Sequence, residues 1–290
     1  MFVRTFRRLT STWRGRLLLR VVFYSTAIFV GLPGACSQVL VKTIRQPTGR
    51  PPLRYEESWV VSEGLRLRTW TVRGDPARAA AVVVHGLGDT LESYLEVAFV
   101  LNRRGHTVLL LDLRGHGRSE GRYTTLGARE REDVRAAMRL LRERGLAANG
   151  FILMGYSMGA VTVLRAAAVE PDVKAVVVEA PFDTLRANVS HFPIPSWLPI
   201  IPIAIAIAEW RADYDADDVD AVAAARQTRA PLLAIVDGGQ LGSEPAVRRI
   251  FDAHPGPKVF WVAPGVEHVA AIFARDYWPR VLGFLEENGG

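Results

Sequence analysis

From residue 58 onward the hydrophobic and polar positions follow two rhythms. Ser58-Trp59-Val60-Val61-Ser62 and Arg66-Leu67-Arg68-Thr69-Trp70-Thr71-Val72 alternate at every second residue, on either side of Glu63-Gly64. A period of two around a glycine-containing turn predicts an antiparallel hairpin. Further on, residues 80–84, 107–111, 151–154, 173–178, 232–236 and 259–262 are short apolar runs. Segments with helical spacing separate them, at 91–103, 129–144 and 245–253, and 273–287 closes the chain as a helix. Strands alternating with helices predict an α/β protein with a mostly parallel, doubly wound sheet, covered on both faces.

Two stretches break this rhythm. More than fifty residues separate the runs at 173–178 and 232–236, too many for a simple crossover. They include Phe192-Pro193-Ile194-Pro195-Ser196-Trp197-Leu198-Pro199, and they predict an inserted cap at about 183–226. The cap is apolar. Beyond ordinary packing on the body, it can serve as a wall over a substrate or as a surface that touches lipid. The other exception is the N-terminus. Residues 1–20 form a basic segment with Arg4, Arg7, Arg8, Arg14, Arg16 and Arg20, and 21–41 carry no charge. Twenty-one uncharged residues can span a bilayer as a helix. The strongly apolar part, 21–32, is also the length of a signal-peptide core, and Leu32-Pro33-Gly34-Ala35-Cys36 loosely matches a lipoprotein cleavage site. A membrane anchor is the expectation, with a cleaved signal or a lipoprotein as alternatives. The arginines before the span place the N-terminus inside and the body outside the cytoplasm. Residues 42–57, with three prolines, read as a linker, and 58–290 as the folded domain.

Charge changes the picture only at one end. Nine of the 36 Lys/Arg and none of the 30 Asp/Glu lie in residues 1–50, so the remainder carries 27 against 30, a net of −3. The basic character belongs to the N-terminal segment, and a nucleic-acid-binding body is excluded on charge. One cysteine, Cys36, leaves no internal disulfide and no cysteine-based metal site.

The chemistry centres on Gly155-Tyr156-Ser157-Met158-Gly159. An apolar run precedes this G-x-S-x-G and a helix former, Ala160-Val161-Thr162-Val163-Leu164, follows it. Strand, sharp turn and helix is the setting of a nucleophile elbow. Ser157 is the candidate nucleophile, and the Met158 N–H starts the helix, where it can face a developing oxyanion. Val82-Val83-Val84-His85-Gly86-Leu87-Gly88 is a second strand-to-loop signal. It offers the Leu87 N–H as the other oxyanion donor, with His85 as a structural residue. His268, in Pro264-Gly265-Val266-Glu267-His268, lies between the last predicted strand and the last helix, where a general base for Ser157 can stand. His106, His191 and His254 are less well placed. The loop Asp112-Leu113-Arg114-Gly115-His116-Gly117-Arg118-Ser119 reads as a tight turn pinned by Asp112 and Arg114. It lacks the ending of a phosphate loop.

With these motifs in this order, together with Tyr123-Thr124-Thr125-Leu126-Gly127, Glu130, Asp133, Glu179-Ala180-Pro181-Phe182 and Tyr277-Trp278, residues 58–288 resemble an α/β-hydrolase of the serine aminopeptidase S33-like and Bem46-like group. The resemblance implies the α/β-hydrolase fold, a serine hydrolase using Ser157 and His268, and no cofactor or metal. It does not imply a peptidase. It also places a triad acid after the penultimate strand, where an ungapped match puts Gln240 of Pro231-Leu232-Leu233-Ala234-Ile235-Val236-Asp237-Gly238-Gly239-Gln240. An amide brings no charge to the histidine. Glu179, at the end of the preceding strand, is the expected acid, with Asp237 and the Gln240 position as alternatives. The expected activity is hydrolysis of a carboxylic ester, thioester or amide, with a small-molecule acyl or lipid-like ester as substrate. A catalytically degenerate hydrolase fold used as a membrane-anchored binding or scaffold protein is the rival from another class.

Overall fold

The hairpin and the alternating run build one sheet. The computed structural model describes residues 13–43, 54–190, 194, 198–238 and 243–288. Gln240, Trp197 and most of the expected linker lie outside the described residues. Among those described, eight strands form a sheet: β1 (Glu56–Ser62), β2 (Leu65–Val72), β3 (Ala80–Val84), β4 (Val108–Leu111), β5 (Phe151–Tyr156), β6 (Val173–Glu179), β7 (Leu232–Asp237) and β8 (Lys258–Ala263). Their order in space is β1-β2-β4-β3-β5-β6-β7-β8. The pairs β1–β2 and β2–β4 are antiparallel and the other five are parallel. Glu63 and Gly64, at φ 45° and 83°, close the β1–β2 hairpin. Two residues at positive φ match the right-handed twist of the flanking strands, which is why a glycine sits there.

The helices are α1 (Trp13–Thr26), α2 (Leu32–Val41), α3 (Leu95–Arg103), α4 (Glu130–Glu143), α5 (Met158–Ala167), α6 (Leu185–Ser190), α7 (Ile200–Ala212), α8 (Ala221–Gln227), α9 (Glu244–Ala253) and α10 (Tyr277–Glu287). Strands β3, β4, β5 and β7 are buried at every position. That explains their apolar sequences, interrupted only by Asp237 at the end of β7: a parallel strand covered on both faces has no solvent side. On one face, Trp70, Leu110, Met154, Tyr156, Trp261 and Tyr277 share a continuous core. Burying each large side chain of this kind stabilises the fold by about 1.5–3 kcal/mol.

The strand order fixes where a site can form. From β3 the chain turns to one side to make β4, then to the other to make β5. The loops after β3 and β5 therefore diverge, and they leave a crevice at the carboxyl ends of the strands.

The chain divides into two compact units. One holds the sheet and its helices, with the described residues of Lys42–Asn188 and Tyr214–Gly290. The other holds α1, α2 and the described residues of Val189–Asp213, including α7. The separate unit thus takes only the middle of the expected 183–226 insert, and it takes in the N-terminal helix as well. The ends of the insert belong to the body. There Ala221 N–H donates to Asp183 O (2.7 Å) and Leu185 N–H to Val219 O (3.1 Å), which clips the two ends together. The N-terminal helix begins earlier than the uncharged run, at Trp13. A π-helical turn, Ala27–Gly31, joins α1 to α2 just before Pro33. Proline has no N–H for the helical ladder, and a widened turn absorbs that loss.

Candidate active site

The sharp turn after β5 places Ser157 at φ 51° and ψ −115°, a conformation that side chains rarely adopt. The two flanking glycines explain how it is tolerated. A Cβ on Gly155 would run into the Gly159 carbonyl, and one on Gly159 into the carbonyls of Val84 and His85. The turn can be this tight only with glycine at both positions. Ser157 N–H is used, donating to Glu179 O at 2.8 Å. The next N–H, that of Met158, opens the ten-residue helix α5. Gly86, after β3, lies against the same turn: its Cβ would stand 3.3 Å from Tyr156 O and 3.4 Å from Ser157 Cβ. Leu87 follows it directly. Among the described residues, neither the Leu87 N–H nor the Met158 N–H donates a hydrogen bond within the backbone of the body. Both flank the Ser157 turn, where a pair of donors can face a developing oxyanion.

His268 sits between Ser157 and a carboxylate. Its Nδ1 is 2.6 Å from Asp237 Oδ2, and its Nε2 is 3.1 Å from Ser157 Oγ. A carboxylate only accepts, so Nδ1 carries the proton and Nε2 is the acceptor for the Ser157 hydroxyl. Asp237 is buried, its side chain 2% exposed, while the His268 side chain is 38% exposed. The second oxygen of Asp237, Oδ1, accepts from Ser243 Oγ.

The expected acid, Glu179, is not the partner of His268, and Asp237 is. The sheet register gives the reason. Glu179 pairs with Tyr156 on one side and with Ile235 on the other. It stands level with the residue before Ser157, too deep in the sheet. Asp237 lies two residues beyond Ile235, about 6.6 Å further toward the carboxyl end, where the His268 loop passes. Glu179 holds that loop instead. Its Oε1 accepts from Ala271 N–H at 2.8 Å, just past Val269, which has φ 59°. Its Oε2 has no partner among the described residues. Burial, helped by the charge of Asp237, raises its pKa to about 7, against the pull of the Ala271 N–H.

His85 is tied into the backbone of the body. His85 Nδ1–H donates to Gly86 O (2.7 Å), and its Nε2 accepts from Leu113 N–H (3.0 Å). Burial lowers its pKa and keeps it neutral. The Asp112–Ser119 loop is pinned as expected: Asp112 accepts from the N–H groups of Leu91 (2.9 Å) and Arg118 (3.1 Å), and Arg114 Nε donates to Asp133 (2.9 Å). Among the described residues, no three His, Cys, Asp or Glu side chains converge as a metal site would require. Ser243 and the Glu179–Ala271 contact had no sequence signal. Both depend on which loops the register brings together.

Known proteins resemble this chain in sequence and fold. The sequence model of the serine aminopeptidase S33 family matches residues 75–219, half of the chain. An uncharacterised protein of Bacillus subtilis, YqkD, is 27% identical over 216 residues, 71% of this chain and 70% of its own. A monoacylglycerol lipase of Mycolicibacterium smegmatis is 31% identical over 166 residues, 54% of this chain and 53% of its own. Among solved structures, an esterase of Pyrococcus furiosus superposes with a TM-score of 0.65 at 22% identity, covering 87% of this chain and 98% of its own. An acetyl xylan esterase from Paenibacillus gives 0.65 at 16% identity, with 91% and 95% covered. The eight-stranded, mostly parallel sheet and its flanking helices are the α/β-hydrolase fold.

Proposed function

The chain belongs to the serine aminopeptidase S33 family of α/β-hydrolases, and from that membership we propose that it is a serine hydrolase. It cleaves a carboxylic ester, thioester or amide through an acyl-enzyme. Ser157 Oγ attacks the carbonyl carbon as His268 Nε2 takes its proton. The carbonyl oxygen becomes an oxyanion facing the N–H groups of Leu87 and Met158. His268 then gives the proton to the leaving group, and water repeats the cycle to release the acid. Asp237 keeps the Nδ1 proton in place and stabilises the imidazolium. The observation that carries this reading is the position of His268, 3.1 Å from Ser157 and 2.6 Å from Asp237.

The substrate class we favour is an apolar acyl ester. The apolar sequence of the insert and the likeness to a monoacylglycerol lipase support it. The assay is hydrolysis of p-nitrophenyl esters of increasing chain length. Rates should rise with chain length, and Ser157→Ala should remove activity by a factor on the order of 10⁴–10⁶. Activity that survives this substitution would reject the serine mechanism. The rival reading, a degenerate binding protein, drew its support from the amide at Gln240. With Asp237 beside His268, that support is gone.

We also read the N-terminal helix as a retained membrane anchor, with the hydrolase domain outside the cytoplasm. Residues Leu17–Val41 form one helix, apolar and long enough to cross a bilayer. Its last part is fastened to α7: Arg211 Nη1 donates to Ser37 Oγ (2.7 Å) and to Gly34 O (3.2 Å). Cleavage as a signal peptide would strip α7 of this partner. The arginines before the span favour an internal N-terminus.

A further inference from the structure

The N-terminal helix changes character along its length. In residues 17–32 every position is exposed except the half-buried Leu19. From Pro33 on, a buried stripe appears at Pro33, Ser37, Leu40 and Val41. The bare part rises about 24 Å at helical pitch, most of the roughly 30 Å hydrocarbon core of a bilayer. The covered part is α2, and α7 packs against it.

Helix α7 has an unusual composition for a helix with a free face. Nine consecutive residues, 200–208, carry no polar side chain, and Glu209-Trp210-Arg211 follow. Ile200, Ala204, Ile205, Ala208 and Ala212 are buried. Pro202, Ala206 and Trp210 are exposed, and their spacing of four puts them on one face. A helix facing water carries polar residues on that face. Trp210 is 82% exposed, and among the described residues no large apolar side chain is more so.

The level of Trp210 is fixed by its neighbour. Arg211 Nη1 reaches Gly34 O, Ser37 Oγ and, at 3.3 Å, Gln38 Oε1. The Trp210 end of α7 is thus held within about one turn of Pro33, where the bare helix ends. Tryptophan concentrates at the membrane–water interface, because its ring is apolar and its N–H is not. Arginine at this depth buries its stem and keeps its head among polar groups.

The geometry points to a second membrane contact: the Trp210 end of α7 rests in the headgroup layer of a lipid bilayer, with the hydrocarbon boundary at residues 32–37 of the anchor helix. α2 and α7 form a two-helix collar that sets how deep the chain sits. Of the described helix, only residues 17–32, rather than the whole run to Val41, lie in the hydrocarbon core. This rests on the anchor reading above and adds a depth and a second contact to it.

Depth-resolved fluorescence quenching on the full chain tests this. In a Cys36→Ala background, a bimane label is placed at Trp210→Cys or at Val30→Cys. Both sites are exposed, 82% and 62%, so neither substitution disturbs packing. The chain is reconstituted into vesicles of phosphatidylcholine and phosphatidylglycerol, doped with a nitroxide either on the headgroup or deep on the acyl chain. The label at position 210 should lose most of its quenching by aqueous iodide, and the headgroup nitroxide should quench it more than the acyl-chain one. The label at position 30 should show the reverse lipid preference. If position 30 is quenched from the acyl chain but position 210 is quenched by iodide as strongly as free dye, the collar contact is wrong and the anchor stands. If position 210 is shielded from iodide yet neither lipid quenches it, a protein partner covers it and the contact is also wrong. If position 30 is open to iodide, the anchor reading falls and this inference with it.

Discussion

Glu179 and Asp237 end neighbouring strands of the same sheet, and their surroundings differ in every respect that matters for catalysis. Asp237 accepts from two side chains, His268 and Ser243, and both of its oxygens are used. Glu179 accepts from one backbone N–H, and its other oxygen has no partner among the described residues. Two residues of height along parallel strands separate these fates. The difference teaches that a carboxylate at the end of a strand is not a triad acid by virtue of being there. It must rise far enough to meet the histidine loop, and it must find donors for its charge. Glu179 lies too low to meet His268, has a single donor, and burial raises its pKa to about 7. It holds the backbone of the His268 loop through the Ala271 N–H.

The largest effect that separates the two is on rate. Asp237→Asn should slow ester hydrolysis by about 10⁴, because an amide can turn its NH₂ toward Nδ1 and impose the wrong tautomer on His268. Glu179→Gln keeps the carbonyl oxygen for Ala271 and should leave the rate within a few fold. Steady-state kinetics on one p-nitrophenyl ester checks both. Reversed ranks would return the acid to Glu179.

Stability gives the next contrast, through pH. The folded-state pKa of Glu179 is raised, from 4.5 to about 7. The folded protein then binds more protons than the unfolded chain between these values, so this group's contribution is full below pH 4.5 and is lost as pH rises to about 7. A shift of this size corresponds to about 3 kcal/mol. Denaturant unfolding should show Glu179→Gln to be more stable than the parent at pH 8, by up to about 3 kcal/mol, with the gain vanishing near pH 4. An equal effect at both pH values would mean that Glu179 does not titrate in the folded state.

The smallest effect refines the other side. Ser243→Ala leaves Asp237 Oδ1 one donor short. A hydrogen bond to a charged group contributes about 1.5–3 kcal/mol at most, so kcat should fall by roughly tenfold, with KM little changed.

How much of this was legible in the sequence follows the range of the constraint. Gly155 and Gly159 are fixed by contacts within a few residues of Ser157 or on the adjacent β3, and the sharp turn at Ser157 was readable from five letters and their flanks. His268 was readable from its place between the last strand and the last helix. The carboxylate that meets His268 was not, because its identity depends on the register of β6 against β7. Neither strand encodes that register locally, and matching by count alone pointed past Asp237 to Gln240. The collar was unreadable for the same reason: Ser37 and Arg211 are far apart in the chain, and no local pattern announces their contact. The uncharged run at 21–41 marked the apolar helix but not the change at Pro33, where the helix passes from bare to covered.

The central claim is that Ser157 is activated by His268 with Asp237 behind it. Covalent labelling by a fluorophosphonate, followed by intact mass and peptide mapping, tests it most directly when run on the parent chain, Glu179→Gln and Asp237→Asn in parallel. The account predicts a single adduct on the peptide bearing Ser157, formed at similar rates in the parent and in Glu179→Gln and orders of magnitude more slowly in Asp237→Asn. No adduct in the parent, an adduct on another residue, or rapid labelling of Asp237→Asn would contradict it.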